Sequence, residues 1–219
     1  VQEEVLPDHR ERLAYLSGPS FARDVASGLP TNLTCAAEDA GVAARVQELL
    51  HSPRLRIYTS EDVIGVELGG AVKNVIAIAC GAADGLGLGD STIAALMTRG
   101  LAEITRLGVA LGANPISFLG LAGVGDLMLT CNGEQSRNRT LGKRVGGGET
   151  AEQVVNSQAA VAEGYVTVRA VRALKEKLGV EMPIVEAVYQ VCYEGADFRD
   201  EAERLANRES KEEFEGILG

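Results

Sequence analysis

With 219 residues, 46% of them apolar and 24% charged, the chain is long enough to bury a proper core and is ordinary in composition for a globular protein. Its formal net charge of −10 argues against nucleic acid as a partner, because binding a phosphate backbone needs a basic surface. Cys35, Cys80, Cys131 and Cys192 are too scattered for a Cys-x-x-Cys or Cys/His metal site, and no zinc site or Ser/His/Asp triad can be built around His9 or His51. With no signal-peptide pattern, a reduced cytoplasmic setting is expected.

Residues 1–60 read as α/β. Strand-like segments at residues 12–17, 32–37 and 54–59 are separated by turn residues and by a helix from Ala40 to Leu50. They look like the last strands of a domain whose first half is missing, and an unpaired sheet edge invites association.

Residues 61–219 read as helical almost throughout. Ser60 is the expected cap of the first helix, with Glu61 and Asp62 in its first turn. The apolar run that follows places Leu68, Val72, Val75 and Ala79 on one stripe. It is interrupted by Glu67, Lys73 and Asn74, so no membrane span is expected from it.

Lys73 stands off that stripe. A lone ammonium in an apolar run is costly unless something pairs with it or uses it, so Lys73 is the leading candidate for chemistry; a snorkelling or structurally paired lysine is the plain alternative. Its helical neighbours include Gly69, Gly70 and Ala77, and this bare backbone is expected to leave room for a ligand.

Downstream, Asp84-Gly-Leu-Gly-Leu-Gly-Asp90 reads as an interhelical turn, with Asp90 capping a helix to about Leu111. Ile93, Met97, Leu101, Ile104, Leu107 and Leu111 form that helix's apolar face. The segment Gly123-Val-Gly-Asp126 then leads, past Thr130, to Ser136-Arg137-Asn138-Arg139. Ser136 is a candidate N-cap, and the first-turn N–H groups with Arg137, Asn138 and Arg139 would suit a phosphate. Lys143 and Arg144 extend this basic cluster, a local pattern that suits a small anion better than a polymer.

Thr150-Ala-Glu-Gln153 has the form of a capping box. A further helix is expected over residues 165–178, ending before Gly179, and Pro183 is placed to open the next. Residues 199–215 form a final charged segment, expected as a short helix with a solvated tail.

Several blocks in order carry a family resemblance: Leu16-Ser17-Gly18-Pro19-Ser20-Phe21-Ala22, Gly65-Val-Glu-Leu-Gly-Gly-Ala-Val-Lys73-Asn74, Asp84-Gly-Leu-Gly-Leu-Gly-Asp90, Thr98-Arg99-Gly100, Gly123-Val-Gly-Asp126-Leu, Ser136-Arg137-Asn138-Arg139, Glu163-Gly164 and Met182-Pro183-Ile184. Over essentially its whole length the chain resembles the bacterial-type NAD(P)-dependent glycerol-3-phosphate dehydrogenases. The resemblance implies a mainly α fold, in which a helical substrate domain of the 6-phosphogluconate dehydrogenase-like type follows a short remnant of the nucleotide-binding α/β domain. The Gly-rich turn between strand and helix that holds a dinucleotide pyrophosphate is absent from the sequence. Since the chain also starts at Val1, a C-terminal fragment of a longer enzyme is expected.

What the resemblance implies for function is reversible NAD(P)H-dependent reduction of dihydroxyacetone phosphate to sn-glycerol 3-phosphate, a glycerophospholipid precursor. Lys73 would donate the proton, and Asp126 would orient Lys73 or a substrate hydroxyl. Asn74 and Thr130 match pocket positions, Arg137 and Asn138 would hold the phosphate with Ser136 beside them, and Gly18 and Ser20 match substrate contacts at the domain junction. Ala22, Arg137, Val161 and Glu163 match positions near NAD or NADP, whose main site, like a further substrate lysine, belongs to the absent part. No metal is implied, and a homodimer is the assembly that the resemblance favours. The rival reading is a non-catalytic helical module that binds an anion or dimerises.

Overall fold

In the computed structural model, which describes residues 5, 7–157, 161–210 and 212–213, three short strands open the chain. β1 (Tyr15–Ser17) runs antiparallel to β2 (Thr31–Ala36), and β2 runs parallel to β3 (Leu55–Ser60), in the order β1-β2-β3. The first strand is shorter than the sequence suggested, because Pro7–Arg12 forms a 3-10 helix. A five-residue helix, α1 (Ala22–Ala26), joins β1 to β2, and α2 (Ala40–Leu50) supplies the crossover that the parallel pair requires. Asp39 caps α2 by accepting the Gly41 N–H at 2.7 Å. Val42, Ala43 and Val46 of α2 cover Leu33, Cys35, Leu55 and Ile57 of the sheet in a small separate core.

The remaining elements gather around α3 (Val63–Gly85), whose Val72, Val75, Ile76 and Ile78 are wholly buried. By length and composition α3 could cross a membrane, but 61% of its most apolar window is buried inside the protein, and it serves as the core axis. Its cap is Asp62, which accepts the Gly65 N–H at 2.9 Å; Ser60, the cap expected from sequence, instead accepts the Asp62 N–H at 3.1 Å and shapes the approach. Glycines at positive φ, Gly87 at 70° and Gly89 at 80°, make the turn into α4 (Asp90–Ala110). Gly89 is the N-cap, so Asp90 is the first helical residue rather than the cap, where its charge still complements the dipole. The six apolar residues expected on α4 all join the main core.

A 3-10 helix (Pro115–Leu119) and a π-helical turn (Leu121–Gly125) lead into α5 (Asp126–Asn132). There follow α6 (Arg137–Gly146), α7 (Ala151–Ser157), α8 (Glu163–Leu178), α9 (Pro183–Tyr193) and α10 (Phe198–Ala206). The Thr150–Gln153 capping box forms reciprocally, at 2.9 and 3.2 Å. α8 starts two residues before the expected position, at Glu163, and ends at Gly179 with φ 68°. The charged segment expected over residues 199–215 is helical only to Ala206, and its residues 211, 214 and 215 lie outside those described.

α3 and α6 run parallel at very close range. A Cβ on Gly142 would meet the Ile78 carbonyl oxygen and lie 2.8 Å from the Ala82 nitrogen, while one on Gly146 would meet the Ala82 carbonyl. Gly81 and Gly85 of α3 lie in the same way against the Arg139 and Lys143 carbonyls of α6. One turn before Gly142 and Ile78, the same register opposes Asn138 to Asn74. The architecture is thus mainly helical beside a small sheet, as the resemblance implied.

Candidate active site

Lys73, midway along α3, forms an ion pair with Asp126, the first residue of α5. Only 17% of the lysine side chain and 4% of the aspartate side chain reach solvent, so the ammonium does not snorkel to water. Two glycines beside the lysine make this meeting possible. Without a Cβ, Gly69 lets the Ala122–Gly123 backbone of the π-helical turn sit against α3, and that turn delivers Asp126. Gly70 faces Ser17, whose Oγ would lie 2.7 Å from an added Cβ. The bare surface around Lys73 is therefore filled by protein; the expectation that Gly69 and Gly70 leave room for a ligand is corrected.

Asp126 is held by two further residues, Thr130 and Gly18. The Thr130 hydroxyl lies 2.7 Å from the Asp126 carbonyl oxygen and 3.4 Å from its Oδ1, and the Gly18 N–H donates to the carboxylate. Burial pushes the Asp126 carboxyl above its ordinary pKa, and the Lys73 ammonium, Thr130 and Gly18 oppose that push. Gly18 has φ 144°, a conformation that favours glycine, and its carbonyl accepts the Ser20 hydroxyl at 3.0 Å. The junction between β1 and α1 thus reaches the ion pair directly.

Next to Lys73, Asn74 belongs to a second network. Asn138 Nδ2 donates to Asn74 Oδ1 at 2.9 Å, while Asn138 Oδ1 accepts the Gly164 N–H at 2.8 Å. Asn74 Nδ2 donates to Glu163 Oε2 at 3.3 Å, and Arg137 Nη2 lies 3.8 Å from Glu163 Oε1. Gly164 has no alternative here, since a Cβ would sit 2.5 Å from the Asn74 carbonyl oxygen. Asn138, which the resemblance implied would hold the substrate phosphate, is buried with both ends of its amide engaged, by Asn74 and by the Gly164 N–H.

The basic cluster of the sequence resolves into unequal members. Arg139 and Lys143 both pair with Asp84 Oδ2, at 2.7 and 3.0 Å, and Arg144 pairs with Glu149. Among the described residues, the ion pair of Arg137 is the 3.8 Å contact to Glu163, and 53% of its side chain is exposed. Its guanidinium is the member open to a dianion. Ser136 is buried and caps α6 by accepting the Arg139 N–H at 3.2 Å.

Val161 and Glu163 lie exposed at the start of α8, on the same rim as Arg137. Ala22 is exposed at the start of α1. α1 is tied toward α6 by Gln135 Nε2, which donates to Asp24 Oδ1 at 3.0 Å, and by the Phe21 ring over Gly133. Among the described residues no three His, Cys, Asp or Glu side chains converge to hold a metal. The sequence reading had missed the π-helical turn that aims Asp126 and the part played by Asp84 as counter-ion. Asp84 opens the Asp84–Asp90 turn, but its partners Arg139 and Lys143 are more than fifty residues away in sequence.

The family model described as the C-terminus of NAD-dependent glycerol-3-phosphate dehydrogenase matches residues 62–203, and the corresponding N-terminus model matches residues 1–43. The chain is 51% identical, over all 219 residues, to "Glycerol-3-phosphate dehydrogenase [NAD(P)+]" of Symbiobacterium thermophilum, and covers 64% of that protein. It is 53% identical over 214 residues to the protein of the same name from Geobacter sp. (strain M21), covering 97% of this chain and 64% of the relative. The chain therefore spans less than two thirds of the length of these curated relatives. The crystal structure of glycerol-3-phosphate dehydrogenase from Coxiella burnetii superposes with a TM-score of 0.87 at 41% identity, over 89% of this chain and 60% of that one. The chain belongs to the NAD-dependent glycerol-3-phosphate dehydrogenase family.

Proposed function

We propose that this chain carries the proton-transfer and substrate-binding half of a glycerol-3-phosphate dehydrogenase, which reversibly reduces dihydroxyacetone phosphate to sn-glycerol 3-phosphate for glycerophospholipid synthesis. The buried Lys73–Asp126 pair, with Asn74 and Arg137 beside it, is the observation that carries this reading. Bound NADH or NADPH supplies the hydride.

This chain's residues do the rest. Lys73 delivers a proton to the ketone oxygen as negative charge develops there, and takes it back in the reverse direction. A lysine suits both roles, because an arginine does not release its proton. Asp126, held by Thr130 and Gly18, aims the ammonium. Arg137 binds the substrate phosphate, and fixing that remote group orients the carbonyl. Asn138 acts through Asn74, Ser136 by starting α6, and Ser20 by bracing Gly18.

Val161, Glu163, Ala22 and the outer side of Arg137 would meet the edge of the cofactor, whose pyrophosphate-holding turn is not in this sequence. The four cysteines are buried and unpaired, which supports a reduced, cytoplasmic setting. A homodimer is the assembly that the resemblance favours.

In protein extended to the length of its relatives, Lys73→Ala is expected to lower turnover by at least about two orders of magnitude, the scale of a lost general acid. Steady-state kinetics with dihydroxyacetone phosphate check this; a variant with unchanged turnover and weakened substrate binding would remove Lys73 from proton transfer.

A further inference from the structure

Asp84 sits in the last turn of α3, roughly 15 Å along the helix from Asn74. Arg139 and Lys143, one turn apart on α6, converge on its Oδ2 atom at 2.7 and 3.0 Å. The glycine faces of α3 and α6 bring the two backbones together, yet glycines offer little side-chain ridge to resist sliding along the axis. A carboxylate that binds two cations one turn apart does resist it, because a one-turn slip of α6 breaks at least one of the bonds.

We infer that Asp84 is a positioning residue, a clamp that fixes the axial register of α6 on α3 and so holds Arg137 and Asn138 beside Lys73 and Asn74. The inference rests on reading this region as the catalytic site. Both ion pairs are partly exposed, so they add little to folding stability. What they set is geometry, and a misplacement of about 1 Å at a reacting centre can cost on the order of 100-fold in rate. The clamp also selects the anion reader, since it occupies two cations of the basic cluster and leaves Arg137 available.

The test uses protein extended to the length of its relatives. Asp84→Ala is expected to lower kcat/KM for dihydroxyacetone phosphate by at least about tenfold with a raised KM, while thermal melting changes little. The side-chain amide resonances of Asn74 and Asn138 are expected to shift in the same variant. Asp84→Asn, which keeps an acceptor for both cations, is expected to recover part of the loss. A purely structural role would lower the melting temperature and the active fraction with KM unchanged, and that result overturns the proposal. Unmoved Asn74 and Asn138 resonances overturn it as well, with or without turnover. Resonances that move in protein lacking any turnover support the clamp and count instead against the dehydrogenase reading. If Asp84→Ala does not fold, Arg139→Gln poses the question from the other side: the same resonance shifts support the clamp, and their absence overturns it.

Discussion

A lysine and an aspartate withdrawn from water together are each tolerable only because of the other; losing one partner of such a pair commonly costs about 3–5 kcal/mol. Lys73 could be read as special from sequence because a charge stood off an apolar stripe; its partner Asp126 came only through the family resemblance, since 53 residues and a π-helical turn separate them. Glu103 shows the opposite case. Its place four residues before Leu107 puts it on the core side of α4, a readable signal that the apolar stripe passed over. It is 1% exposed, and its carboxylate accepts the N–H groups of Ile184 at 2.7 Å and Val185 at 3.2 Å, at the start of α9, whose N-cap Met182 offers no side-chain acceptor. Burial pushes the Glu103 carboxyl up from 4.5 to about 7, against those two N–H groups and the charges of Arg106 and Arg208. Between those two values the folded protein keeps a proton that the unfolded chain releases, so Glu103 makes folding less favourable as pH rises through that window and adds no slope above it. Thermal melting followed across the window should therefore fall more steeply for the native protein than for Glu103→Gln; parallel curves would contradict this.

At the scale of elements, the α3–α6 contact decides where the site forms. Gly142 faces the Ile78 carbonyl and the Ala82 nitrogen, which are backbone atoms that cannot rotate away, so Gly142→Ala must push the helices apart. The expected cost is about 1–3 kcal/mol, read as a lower denaturation midpoint, with a weakened Asn138–Asn74 bond one turn away. An unchanged midpoint would mean that the helices yield freely. Helices with strong period, such as α2 and α4, were legible almost to the residue. The starts of α3 and α4 were less so, because Ser60, Asp62, Gly89 and Asp90 all have capping chemistry and only the path of the chain selects Asp62 and Gly89. The glycines at 69 and 70 misled for a related reason. A missing Cβ shows that something comes close, and here it is the Ala122–Gly123 backbone and the Ser17 side chain rather than a ligand.

For the molecule as a whole, the division of labour follows from what the chain contains. Its sheet has three strands among the described residues, with Leu16 and Tyr58 left 47% and 44% exposed, and its sequence has no Gly-rich pyrophosphate turn. The proposed proton donor and phosphate-reading arginine are present, while the main cofactor site is proposed to lie in the part of the relatives that this chain does not span. The family and the helical fold were legible in the ordered motif blocks. The pairing that leaves Arg137 as the open cation was not, because it depends on Asp84 and Glu149 meeting their partners in three dimensions. The most direct measurement is oxidation of NADH and of NADPH with dihydroxyacetone phosphate, comparing the 219-residue chain with the same chain extended upstream to the length of its relatives. Turnover only in the longer form is the expected result. A folded longer form without turnover would contradict the dehydrogenase assignment and favour an anion-binding module, and turnover by the 219-residue chain alone would contradict the placement of the cofactor site upstream.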